Sequence, residues 1–122
     1  MRTAAEIYKA MADETRLTIL FLILRYGEMC VCDVEGVLGV SQSKASRHLR
    51  YLRNAGLLTD RRDGIWVYYT IPHSANNDAG RIIAANKTLI LSMDNAETDQ
   101  KYQNWMSRKK KTGESCGLQL QK

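Results

Sequence analysis

Several stretches of this chain repeat apolar residues at helical spacing, and one alternates them as a strand does. Ala4, Ile7, Tyr8 and Met11 share one side of a short helix predicted over residues 3–12. Asp13 is placed to cap a second helix over residues 14–26, in which Leu17, Leu20, Phe21 and Leu24 form a stripe and which Gly27 ends. A third, short helix is expected over residues 30–38, closed by Gly39. The turn Gly39-Val40-Ser41 leads into a helical stretch over residues 41–58, where Ser41 can cap the start and Gly56 can end the helix. Ala45, Leu49 and Leu52 fall on one of its faces, and Ser43, Arg47, Arg50 and Asn54 on the other. Residues 57–62 and 65–71 read as two strands joined at Asp63-Gly64, a dipeptide that favours a tight hairpin. On the second strand Trp66 and Tyr68 share a face and Tyr69 takes the other, which is ordinary sheet packing. Pro72 and residues 73–78 make a loop, and Ile82, Ile83, Leu89, Ile90 and Met93 lie in a further helix.

Two helices joined by a tight glycine-containing turn, then a hairpin, give a mainly α fold with a β-hairpin: a winged helix-turn-helix. Charge placement adds a function to this shape. Residues 41–62 hold six cations (Lys44, Arg47, Arg50, Arg53, Arg61, Arg62) against the single acid Asp60, a local excess equal to the net charge of +5 on the whole chain. Cations concentrated on one face supply the salt-dependent part of nucleic-acid affinity, although a solvated basic surface has the same signature. The small polar residues at the helix start favour the first reading, because they let the backbone approach base edges. Gln42, Ser43, Lys44, Ser46, Arg47 and Arg50 are the candidate contacts to double-stranded DNA, with Arg61 and Arg62 at the hairpin as candidate phosphate contacts.

The chain has 122 residues, 44% hydrophobic and 25% charged, which fits one small globular domain. Residues 1–94 are expected to form a DNA-binding and dimerisation domain. From residue 95 apolar positions thin out, and residues 95–122 read as a basic, flexible tail with a frayed helical segment around residues 102–106. The longest apolar run, residues 17–24, is far shorter than a membrane span. Glu6, Lys9, Asp13, Glu14 and Arg16 interrupt the N-terminus too often for a signal peptide, so a cytoplasmic location is expected. Catalysis is not indicated, since His48 and His73 sit in no constellation of acid, base and nucleophile.

The run Tyr8 to Leu17, the hexapeptide Glu28-Met29-Cys30-Val31-Cys32-Asp33, residues 41–58 and the hairpin to Ile71 together resemble the arsenical-resistance-repressor family of winged helix-turn-helix metalloregulators. The resemblance spans roughly residues 4–92 in one colinear series. It implies a homodimer assembled through the first and last helices, bound to an inverted-repeat operator and repressing transcription until an inducer binds. Amphipathic end helices on so short a chain also leave apolar surface for a two-fold partner, with Ile7, Met11, Ile83 and Ile90 as the expected interface.

Cys30-Val31-Cys32 carries the inducer chemistry. Residues two apart on a regular helix point about 200° away from each other, so the sulfurs can meet one ion only if the helix start is unwound or extended. Soft, thiophilic As(III) or Sb(III) suits such a pair, and clamping it is expected to distort the helix that positions the reading helix. A helix N-terminus lowers a thiol's pKa, and Arg25 stands close by in sequence. Many arsenic-responsive relatives carry a third cysteine where this chain has Glu35; the remaining thiol, Cys116, is either a third ligand or an inert surface cysteine. The same hexapeptide occurs in cadmium- and lead-responsive relatives, which add an N-terminal thiolate, but no cysteine precedes Cys30. Zinc sensors of the family use the last helix, and residues 81–93 contain no His. A thiol-redox response of the same fold is the other alternative.

Overall fold

The computed structural model describes residues 3–72, 77–93 and 95–112. The order is α1 (Ala4–Met11), α2 (Glu14–Tyr26), β1 (Met29–Cys30), α3 (Val31–Leu38), α4 (Gln42–Asn54), β2 (Thr59–Asp63), β3 (Trp66–Thr70), α5 (Asp78–Ser92) and α6 (Ala96–Thr112). Local caps fix most helix starts: Asp13 accepts from the Arg16 N–H, Ser41 from Lys44 and Asn77 from Gly80. Helix α3 ends at Gly39 with φ +68, a left-handed position where glycine is the low-cost residue, and the chain turns directly into α4.

Helix α2 is apolar nearly all round, and Ile19 to Ile23 are each at most 3% exposed. Such a helix belongs in the centre of a fold, and α1, α4 and α5 pack around it. That arrangement draws the residues expected at the subunit interface into the single chain. Ile7, Met11, Ile83 and Ile90 are 1%, 6%, 6% and 2% exposed within the single chain, where they form part of its core. The large apolar residues left exposed on these two helices and at the C-cap of α5 are Tyr8, Leu89 and Met93.

The sheet has three strands in the order β1-β3-β2, all antiparallel. Asp63 pairs with Trp66, so the hairpin loop is Gly64-Ile65, one residue later than the sequence suggested. Only Gly64 there has positive φ (+64), the pattern of a type II′ turn. Strand β1 was not foreseen; it converts the two-stranded wing into a sheet anchored beside α3.

The largest departure is at the C-terminal end. Over residues 96–112 the expected loose tail is instead helix α6, docked on α3. Tyr102, Trp105 and Met106 supply its apolar contact, and Trp105 is 6% exposed. Specific anchors complete the docking. Tyr26 and Tyr102 stack at 3.7 Å, Tyr26 donates its hydroxyl to Asp99, and Arg25 pairs with Asp99 at 3.3 Å. Burial, then the Asp99 hydrogen bond, raises the Tyr26 pKa. Residues 113–122, including Cys116, lie outside the described residues, as does His73.

Candidate DNA-reading face and thiol site

Helix α4 buries Ala45, Leu49 and Leu52 and leaves Gln42, Ser43, Lys44, Arg47 and Arg50 exposed. Its apolar face is used against α2 and α3, so the polar face is turned outward by the same packing that holds the fold together. Arg50 donates to the Ser46 hydroxyl at 3.0 Å, which fixes the guanidinium along the helix. Gln42, Ser43, Ser46, Arg47 and Arg50 line a groove of about 420 Å³. On the other side of Arg47 and Arg50 lies a cleft of about 470 Å³, completed by Glu6 and Lys9 of α1 and by Tyr51, Asn54 and Ala55. Lys9 therefore belongs beside this face. Sequence reading missed it, because only the packing of α1 against α4 brings it there.

Two cations of the basic stretch are ion-paired within the fold. Arg53 is paired with Asp60 at 3.2 Å, and Arg61 with Glu28 at 2.6 Å. The Glu28 hydrogen bond raises the Arg61 pKa, and the guanidinium also lies 4.8 Å from the centre of the Tyr68 ring. Arg61 is thus directed toward β1, whereas Arg62 occupies the opposite face of β2 and is exposed. His48 lies at the edge of the core, 3.5 Å from an Arg16 nitrogen, and burial lowers its pKa.

The thiol pair sits where β1 becomes α3. Cys30 has φ −91 and ψ 173, an extended conformation, and the helix begins at Val31. The third helix therefore starts one residue later than expected, and the expected conflict of side-chain directions disappears. The two sulfurs are 3.0 Å apart without any unwinding of α3, and each cysteine is only 2% exposed. Arg25 takes no part here; it faces Asp99, Tyr26 and Phe21.

Asp33 completes the cluster. Its ligand oxygen and the two sulfurs all lie within 4.8 Å of one another. One carboxylate oxygen accepts the Cys30 N–H at 3.2 Å; the other accepts Trp105 Nε1 and Lys109 Nζ, both at 2.8 Å. This buried acid is thereby satisfied by donors from β1 and α6. Gly36 explains how α6 comes so close: a Cβ there would stand 2.3 Å from the Trp105 ring. Glu35 is half-buried, and burial raises its pKa. In reduced form the cluster offers two soft thiolates and one hard oxygen, a donor set that suits a thiophilic ion of small coordination number.

Residues 13–60 match the model of a family described as bacterial regulatory protein, arsR family. The arsenical resistance operon repressor of Escherichia coli K12 is 52% identical over 69 residues, 56% of this chain and 59% of that protein. A repressor of the same description in Bacillus subtilis 168 is 39% identical over 71 residues, 58% of this chain and 68% of that protein. Among solved structures, a homodimeric winged helix-turn-helix DNA-binding domain from Mycobacterium bovis, described as a possible ArsR-family transcriptional regulator, is 34% identical with a TM-score of 0.57. That match covers 70% of this chain and 75% of the other. The chain spans little more than half the length of several curated relatives it matches.

Proposed function

The chain belongs to the arsR family of bacterial regulatory proteins, and we propose that it is a repressor that binds operator DNA as a homodimer and releases it when As(III) or Sb(III) binds Cys30 and Cys32. The observation that carries this reading is the meeting of the two sulfurs at 3.0 Å at the start of α3, the helix packed directly against α4. A ligand at that junction acts one helix away from the DNA-reading face.

DNA recognition is assigned to α4, with Gln42, Ser43, Ser46, Arg47 and Arg50 reading base edges and Lys44, Lys9 and Arg62 placed for phosphates. The inverted-repeat operator follows from a two-fold dimer, for which the uncovered Tyr8, Leu89 and Met93 of α1 and α5 are the available apolar surface. Residues 1–94 then serve as the DNA-binding and dimerisation unit. For the inducer, Cys30 and Cys32 supply the thiolates and Asp33 the neighbouring oxygen. Cys116, which lies outside the described residues, is assigned no essential part in the site. A cytoplasmic location suits an inducer site that needs both cysteines reduced.

X-ray absorption at the arsenic edge of reduced protein with one equivalent of arsenite tests the inducer assignment. The expected shell contains two sulfurs and a lighter atom, unchanged by Cys116→Ser. A shell without sulfur, or one with three sulfurs that becomes two in Cys116→Ser, overturns the two-thiolate reading.

A further inference from the structure

The strand order aligns three residues in a single cross-strand row: Cys30 lies opposite Tyr68, and Tyr68 opposite Arg61. Directly opposed residues of antiparallel strands project to the same face, and here the side chains touch. Tyr68 packs against the Cys30–Cys32 cluster, and the Arg61 guanidinium lies 4.8 Å from the ring centre. Glu28, the residue before β1, closes the far end. Arg61 donates to it from Nη2 at 2.6 Å and from Nε at 3.3 Å, the forked geometry that fixes orientation as well as contact. Strand β2 of the wing is thereby fastened to the segment that carries the thiol pair.

We propose that the row Cys30, Tyr68 and Arg61, fastened by Glu28, is the line through which occupancy of the thiol pair acts on the wing, so that Tyr68 and Arg61 are positioning residues and Arg61 is not a DNA contact. This rests on the reading of Cys30 and Cys32 as the inducer site. The physical reason is packing. Both cysteines are 2% exposed, and an interior this dense cannot take in an ion without displacing a neighbour. Tyr68 is the half-buried side chain packed against that pair, and its other side borders solvent, so it is the wall that can give way. Its movement reaches Arg61 through the stacked ring and reaches β2 through the strand pairing. An exposed ion pair contributes little stability, so the Arg61–Glu28 fork serves to set geometry.

The test uses the full reduced chain, arsenite as the probe, and a duplex selected from a random-sequence pool by the ion-free protein. Duplex affinity is measured with and without arsenite for wild type, Tyr68→Val and Glu28→Gln, and arsenite affinity is measured without DNA from thiolate–arsenic absorption. Wild type is expected to lose at least about fivefold in duplex affinity on binding arsenite. Both variants should keep each separate affinity within about threefold, while the arsenite-dependent loss shrinks to less than about twofold. Full arsenite-dependent release in both variants overturns the proposal. So does tighter duplex binding with a steeper salt dependence in Glu28→Gln, because that is what a released phosphate-contacting Arg61 would give. If circular dichroism shows Tyr68→Val unfolded, Glu28→Gln, a surface change, decides alone. Failure of wild type itself to release the duplex while binding arsenite through its thiols removes the inducer reading, and this proposal with it.

Discussion

Replacing Gly36 with alanine adds a Cβ that would stand 2.3, 2.4 and 2.5 Å from three carbons of the Trp105 ring. In an exposed helix the change stabilises by about 1 kcal/mol, so helix propensity alone argues for a more stable protein. Packing argues the other way and by more. A fully buried indole removes roughly 150–250 Å² from water, about 4–6 kcal/mol at about 25 cal/mol per Å², and large-to-small replacements of buried Trp typically cost about 3–5 kcal/mol. The ring cannot slide to relieve the clash without lengthening its 2.8 Å hydrogen bond to Asp33. Gly36→Ala is therefore expected to weaken α6 docking by about 2–4 kcal/mol after the propensity gain, with the rest of the fold intact. Trp105 emission in a Trp66→Phe background reads this directly, together with hydrogen exchange of the α6 amides. A red-shifted emission and fast exchange confined to α6 are expected. Unchanged emission with a raised melting temperature would refute the account of why this glycine lies in the middle of α3.

Arg47→Ala should cost about 1–3 kcal/mol of duplex affinity and relax sequence preference, while Arg62→Ala should weaken all sequences alike and reduce the salt slope by about 1; equal small effects on the selected duplex would dismiss α4 as the reading helix. Leu89→Asp, at a position 64% exposed, should leave a folded monomer by sedimentation and sharply weaken duplex binding, and an unaffected dimer would remove α5 from the interface. His48 is held below its ordinary pKa of 6.5 by burial, so the folded chain binds this proton less readily than the unfolded one. Its contribution to stability is complete above the unfolded value and is lost as pH falls from there through the lower folded value. Urea midpoints between about pH 8 and 5 should fall less steeply in His48→Gln than in wild type, and parallel curves would count against a desolvated ring at this site.

Helix α4 was legible because every local signal agreed: a capping serine, an apolar stripe at helical spacing, and charge on the opposite face. The thiol pair was legible as chemistry but not as geometry. Whether Cys30 lies inside α3 or before it depends on β1, a two-residue strand that exists only because Met29 and Cys30 pair with Tyr69 and Tyr68 of β3. Helix α6 escaped for a related reason. Its own sequence is too polar to announce burial, and what docks it is a glycine and an aspartate about seventy residues away, Gly36 and Asp33. The misplaced subunit interface has a different origin. The stripes on α1 and α5 were correctly seen as apolar, but within the single chain they pack with the buried centre of α2, Ile19 to Ile23. Arg61 shows the limit of counting charge, since Glu28 lies far from it in sequence and is adjacent only across the sheet.

Release of the selected duplex by arsenite, followed by fluorescence anisotropy in wild type, Cys30→Ser and Cys32→Ser, tests the central claim most directly. Both serine variants should bind the ion-free duplex as tightly as wild type, and both should remain bound at arsenite concentrations that free the wild-type protein completely. Release of either variant at the wild-type concentration would contradict the assignment of this pair as the inducer site.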